Sequence, residues 1–461
     1  MPRIDTLPPR FHAMLASAAL GASIAAPTHA TAEYALQSGM SWYRFDNLFL
    51  FRNDSDNKLH TSDSAWSADL RGALFLPLQT GRSNLQLTAS ASQMHYGKLS
   101  AYTNSAGHGP YSLNRSKKQF DAMYTWAYGD LLHGHLRHHI DDRLYNYFGG
   151  EITPQTDPNG LPPRNLSNVE PEFPHIREDR VEIAWRASKR FDMPLIWTQQ
   201  TLNYMVPGRA EIHNMSSHAL LAAIRYTSGR KSTLSAGIRR NKARFPDRND
   251  LDIARFDSGY TDTERFANTA WRYTENTIVN AHLGAVTRRF HTLPERDRRF
   301  PWTELGFDWH FSARTTFYGN IWNRPQTRDE AHGHLYDVMT RGIQGHAIWQ
   351  ATPKTRISLL GALRSQKSPN LAIDQFSTPS GDHDQWLRLG LRYDVDLTRR
   401  LAIRIDAMVE KNVSGSGDSI RYRHSAAQLS LNYTFDHITG PFDVYNPQGY
   451  GYARRQIENL R

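Results

Sequence analysis

Arg423-His424-Ser425-Ala426-Ala427-Gln428-Leu429-Ser430-Leu431-Asn432-Tyr433-Thr434-Phe435 decides how this chain is read. Arg423, Ser425, Ala427, Leu429, Leu431, Tyr433 and Phe435 share one face, and His424, Ala426, Gln428, Ser430, Asn432 and Thr434 share the other. A period of two is the signature of a strand with one apolar and one wet face. The apolar face grows aromatic toward its end, as in the closing strand of an outer-membrane barrel whose last rings sit at the membrane boundary.

The same alternation recurs along the chain. Trp66, Ala68, Leu70, Gly72 and Leu74 alternate with Ser67, Asp69, Arg71 and Ala73, and Phe120, Ala122, Tyr124, Trp126 and Tyr128 face away from Asp121 and Thr125. Thr303, Leu305, Phe307, Trp309 and Phe311 oppose Glu304, Asp308 and His310, and Leu387 to Val395 and Leu401 to Val409 repeat the pattern. Counting such runs predicts about eighteen strands, the first near 41–50 and the last near 421–435. Tight turns such as Thr80-Gly81, Gly129-Asp130 and Thr352-Pro353 alternate with generally longer polar loops such as 97–116 and 147–175. Short periplasmic turns and long extracellular loops alternate in this way in outer-membrane barrels. Outward aromatics (Tyr128, Tyr226, Trp271, Tyr273, Trp309, Phe311, Trp349, Tyr393) gather beside the short turns, where amphipathic rings settle at lipid headgroups.

Composition agrees. The 461 residues carry 22% charged side chains, and the mean hydropathy of -0.63 excludes a helical membrane bundle. It does not exclude a barrel, whose lumen is polar. The chain has no cysteine, so disulfides and thiolate metal sites are absent. The net charge of +10 would suggest nucleic acid for a soluble protein, but the start of the chain argues against that partner. Residues 1–32 read as a signal peptide: Arg3 and Arg10 precede an Ala-rich apolar run, and Ala30-Thr31-Ala32 supplies a small-x-small cleavage site. The expected organisation is a signal peptide at 1–32, an all-β transmembrane antiparallel barrel at 33–435 facing outer-membrane lipid, and a periplasmic tail at 436–461.

The wet face then lines a water-filled lumen, since a barrel of this size is not filled by side chains. Alternation points Arg71, Arg137, Arg186, Arg225, Arg239, Arg272, Arg388, Arg392 and Arg404 inward, with Tyr318 and Trp322. Asp69, Asp121, Glu182, Glu304, Asp308, Asp394 and Asp406 also point inward. Arginine forks bind carboxylates and phosphates, so this lining either guides an anionic solute or pairs with its own acids and stiffens the wall. His133, His135 and His139 share the inward face, but same-strand neighbours are too nearly parallel to converge on a metal. No glycine-rich phosphate loop or serine elbow is present, and Asp382-His383-Asp384 lacks a placed nucleophile. No enzyme activity, metal or cofactor is expected.

Three runs carry a resemblance: Phe45-Asp46-Asn47-Leu48-Phe49; Tyr336-Asp337-Val338-Met339-Thr340-Arg341-Gly342; and Trp349-Gln350-Ala351-Thr352-Pro353-Lys354-Thr355-Arg356-Ile357-Ser358. They resemble the EpsL family of outer-membrane β-barrels, part of the wider putative beta-barrel porin group. That resemblance implies export of an extracellular polysaccharide; by alternation alone, the inward arginines would then bind sugar acids and Tyr318 and Trp322 would stack on sugar rings. Periplasmic export machinery would be the partner. A general or anion-selective diffusion porin is the alternative, and a surface enzyme or lectin a third reading.

Overall fold

In a computed structural model the chain is described over residues 33–46, 62–79, 82–97, 114–142, 174–204, 210–211, 214–229, 231–325, 339–367, 383–412 and 423–435. Eighteen strands follow in order: β1 (Glu33–Asp46), β2 (Asp63–Gln79), β3 (Ser83–Tyr96), β4 (Arg115–Tyr128), β5 (Leu132–Asp142), β6 (Pro174–Ser188), β7 (Phe191–Tyr204), β8 (Met215–Thr227) and β9 (Thr233–Arg244). The second half comprises β10 (Gly259–Thr274), β11 (Thr277–Phe290), β12 (Arg298–Ser312), β13 (Thr315–Pro325), β14 (Met339–Thr352), β15 (Thr355–Lys367), β16 (His383–Asp396), β17 (Leu401–Asn412) and β18 (Arg423–Thr434). Each strand pairs antiparallel with its sequence neighbours, and β1 pairs with β18, so the sheet closes on itself. Closure satisfies every strand edge, which is what lets a sheet stand in lipid. Among the described residues no helix is long and apolar enough to cross a membrane. The crossing is made by strands.

Side-chain exposure follows the alternation. In β18, Leu429, Leu431 and Tyr433 are exposed on the outside, while His424, Ser430 and Asn432 are buried against the lumen wall. The outward face is an apolar belt, with Leu70, Leu220, Leu283, Leu305, Ile343 and Leu389 all about half exposed or more. An apolar outside, a polar inside and a closed even-numbered sheet define an outer-membrane barrel. Aromatic pairs at the short-turn end form the girdle: Trp271 and Tyr273 meet edge-on at 5.3 Å, as do Trp309 and Phe311 at 5.0 Å and Tyr433 and Phe435 at 5.0 Å.

The short connections lie at one end, and Gly129 takes φ +58° in one of them. At the other end two longer connections are built up. Helix α1 (Asp250–Phe256), capped by the Asn249 side chain, joins β9 to β10, and a 3-10 turn (Pro294–Arg296) joins β11 to β12. Beneath them Ile176, Leu202, Met215, Ala243, Phe245 and Tyr260 form a small apolar cluster with Tyr204 and Phe290.

One expectation needs adjustment. The first strand begins at Glu33, eight residues before the predicted 41, because Gln37 already pairs with Thr434 to close the barrel. Ser38 interrupts the apolar pattern on the outward face there, yet Tyr34, Leu36 and Met40 keep the outward register. The signal peptide at 1–32, the tail at 436–461, most of the 147–175 loop and Asp382 lie outside the described residues.

Candidate functional site

The lumen wall is the candidate site, and its character is set by charge pairing. On β16 and β17 three ion pairs stand directly opposite one another in register: Arg388 with Glu410, Arg392 with Asp406 and Arg404 with Asp394. The last two close at 2.6 Å. Each pair is symmetric about the short turn joining the strands, so hairpin register alone brings opposite charges face to face. On β2, Arg71 turns back to Asp69 at 3.3 Å. On β4 and β5, Asp121 takes Arg137 at 2.7 Å and His139 at 3.1 Å. Arg186 reaches Asp192 at 3.4 Å across the β6–β7 hairpin, and Arg239 meets Glu264 at 4.0 Å between β9 and β10.

Glu182 is the busiest of these acids. Arg180 on its own strand approaches at 3.3 Å, His135 on β5 at 3.7 Å, and Arg225 on β8 at 3.9 Å, reaching over β7. One carboxylate thus faces two guanidiniums and an imidazole, so within this group basic side chains outnumber the acid.

Eight of the nine arginines named from sequence therefore have a carboxylate on the wall, as the self-pairing alternative anticipated. The exception is Arg272, whose buried Nε has no hydrogen-bond acceptor among the described residues. Tyr318 and Trp322 do face inward, but Trp322 is only 8% exposed. Its indole lies over Gly342 on β14, where an added Cβ would come within 2.3 Å of the ring. An indole wedged against the wall cannot offer its face to a sugar, so the stacking role expected for Trp322 is corrected. Tyr318 lies 6.0 Å from the His346 ring.

The alternation reading missed Arg180, Arg288 and Arg324. All three are inward: Arg288 forms a two-point fork with Asp262 at 2.8 Å, and Arg324 reaches Glu304 at 3.0 Å. Arg180 shares its face with Glu182 two residues on, so the pattern carried the signal. A second missed feature is polar and faces outward. His138, placed by alternation away from the lumen, meets Asp179 at 2.5 Å, and Arg177 stands 3.3 Å from the same carboxylate. The three inward histidines do not converge, and among the described residues no His, Asp and Glu group has metal-binding geometry.

No protein-family model and no curated protein matches the chain. Solved structures do. OccK1 (OpdK) of Pseudomonas aeruginosa is 11% identical with a TM-score of 0.46, over 87% of this chain and 98% of that one. OpdK crystallised with vanillate is 10% identical with a TM-score of 0.46, and OccK2 (OpdF) of the same organism in complex with glucuronate is 9% identical with a TM-score of 0.45, each over 87% of this chain and 98% of the other. A BenF-like porin from Pseudomonas fluorescens Pf-5 is similar at 9% identity and a TM-score of 0.45. What is shared with them is the barrel.

The expectation of polysaccharide export is corrected here. The solved barrels similar to this chain include a BenF-like porin, one barrel solved with vanillate and one in complex with glucuronate. Moreover, the arginines expected to grip a polymer are tied to wall carboxylates.

Proposed function

We propose that this chain is a diffusion porin of the outer membrane whose lumen favours small anions. It is a passive channel with no reaction of its own. The observation that carries this reading is the cluster around Glu182, where a single carboxylate is shared by Arg180, Arg225 and His135. Fixed positive charge in a narrow aqueous space attracts anions and raises their entry rate, most strongly at low salt. Pairing elsewhere on the wall holds the other arginines named from sequence still, Arg272 excepted, so the surplus is local rather than spread along the lumen. Kinship with the EpsL group is proposed only at the level of strand and turn sequences.

Planar-bilayer recording under a potassium chloride gradient tests the reading. The wild-type channel is expected to give a reversal potential of anion-selective sign. The double variant Arg180→Gln, Arg225→Gln should move that potential toward cation selectivity, and Glu182→Gln should move it the other way. A cation-selective wild type, or a purified barrel without conductance, refutes the proposal.

A further inference from the structure

The arginines inside the barrel are mostly paired; those outside it on β9 to β12 are not. Arg240, Lys242 and Arg244 on β9, Arg265 on β10, Arg289 on β11 and Arg299 on β12 all fall on the lipid-facing side, in phase with the exposed Ile238, Trp271, Leu283 and Leu305. No carboxylate shares that face on these four strands. In the strand register the partners are hydroxyls or aliphatics: Arg240 stands opposite Thr263, Lys242 and Arg289 opposite Thr261, Arg299 opposite Thr287, and Arg265 between Ile238 and Ala285.

Their height is as informative as their sign. Trp309, in the periplasmic girdle, lies ten positions after Arg299 along β12. Ten residues span about 34 Å of strand, or about 25 Å along the membrane normal at the usual tilt, which is the height of a barrel's apolar band. Arg299 therefore lies where the apolar belt ends, at the headgroup level of the outer leaflet. Arg289, opposite Thr261 ten positions from Trp271, lies at the same level, Arg240 opposite Thr263 lies two positions lower, and Arg265, six positions from Trp271, sits within the belt. The segments that carry them are anchored. On the inner side Arg288 forks onto Asp262 and lies 4.1 Å from the Tyr260 ring. Just beyond β11, His291 contacts the Thr261 hydroxyl at 3.2 Å. Burial holds its imidazole below the ordinary value, Asp257 opposes this, and Lys242 and Arg244 push it further down. A positive field at this rim is what the unpaired row would produce.

We infer that the outer face of β9 to β12 is a docking site for a phosphorylated glycolipid of the outer leaflet. Its phosphates would lie among Arg240, Arg289 and Arg299, with Thr261, Thr263 and Thr287 donating hydroxyl hydrogen bonds. Its acyl chains would cover Ile238, Leu283, Ala285 and Leu305 below. A free phosphate ion would use only the upper half of this surface, whereas a lipid uses both halves, and the apolar half commits the site to the lipid.

The test is binding of bisphosphorylated lipid A to the folded barrel in phosphatidylcholine nanodiscs, read by native mass spectrometry. Wild type is expected to retain it, and Arg240→Gln, Arg289→Gln, Arg299→Gln together should lower the affinity about a hundredfold. Arg341→Gln, on the outward face of β14, should leave it unchanged. Dephosphorylated lipid A should bind the wild-type barrel as weakly as the triple variant binds the intact lipid, an arm that needs no mutant to fold. Equal binding of the two lipids by wild type overturns the inference. So does full displacement of lipid A by millimolar inorganic phosphate, which would make the site one for a free anion.

Discussion

Asp257 shows what one carboxylate can organise. It is 1% exposed and ends α1 at φ 75°, in the left-handed region that disfavours side chains. Its two oxygens accept backbone N–H groups from Gly259 at 2.9 Å, Thr292 at 2.9 Å and Leu293 at 2.7 Å, tying the β9–β10 connection to the β11–β12 connection. Replacing it with Ala leaves those buried donors unmet, at about 1–3 kcal/mol of local stability. Hydrogen exchange at Thr292 and Leu293 should speed accordingly, while Asp257→Asn, which keeps an acceptor oxygen, should show a smaller change. Unchanged exchange in the Ala variant would rule the clamp out. His291 beside it gives a pH dependence. Its folded pKa lies below the unfolded one, so on acidification the unfolded chain takes up the proton first. Its contribution is intact above the unfolded value of about 6.5 and weakens as pH falls through the folded value. An NMR titration of the His291 ring should find its midpoint below 6.5.

At the level of elements, the strands are held by register and by ring-on-glycine contacts as much as by charge. Phe307 covers Gly319 on the outside of the β12–β13 pair, as Trp322 covers Gly342 on the inside of β13–β14. An aromatic ring laid over a strand glycine shields a backbone that has no side chain to pack. A Cβ at Gly342 would enter the indole, so Gly342→Ala should force Trp322 off the wall into the lumen. The cost is about 1–3 kcal/mol of overpacking, readable as a lower urea midpoint together with reduced single-channel conductance. Loss of stability without a conductance change would mean that the ring moves elsewhere. The alternating pattern made the strands and their faces legible, but not these contacts, because a glycine partner leaves no apolar signal in the sequence. The ion pairs of β16 and β17 were legible in principle, since reflection about their short turn predicts each one. The Arg225–Glu182 contact was not, for it skips a strand.

The whole molecule depends on the seam where β1 meets β18. There Ser41 donates to Ser430 at 2.8 Å, and the Gln428 amide reaches Ser430 at 2.7 Å and the Tyr43 hydroxyl at 3.2 Å. These groups face the lumen across the one junction whose strands lie almost four hundred residues apart. Such a contact closes last, because its loop entropy is the largest. Gln428→Ala should therefore slow barrel closure more than a matched Gln-to-Ala change at Gln344, inside β14. The heat-modifiable shift of the folded band during refolding measures this, and equal rates for the two variants would count against a special role for the seam.

The opening stretch, Arg423 to Phe435, by itself determined a strand, its wet and apolar faces, and an aromatic terminus. Repeated along the chain, that pattern determined the barrel, because period two is local and survives in any single strand. Only the tertiary structure decided what the inward charges do. Whether an arginine meets a carboxylate depends on register and on strands that lie apart in sequence, and closure fixed both. It turned a row of apparent anion sites into a mostly self-paired wall with a local surplus at Glu182, and it left the unpaired cations outside, on the lipid-facing rim of β9 to β12.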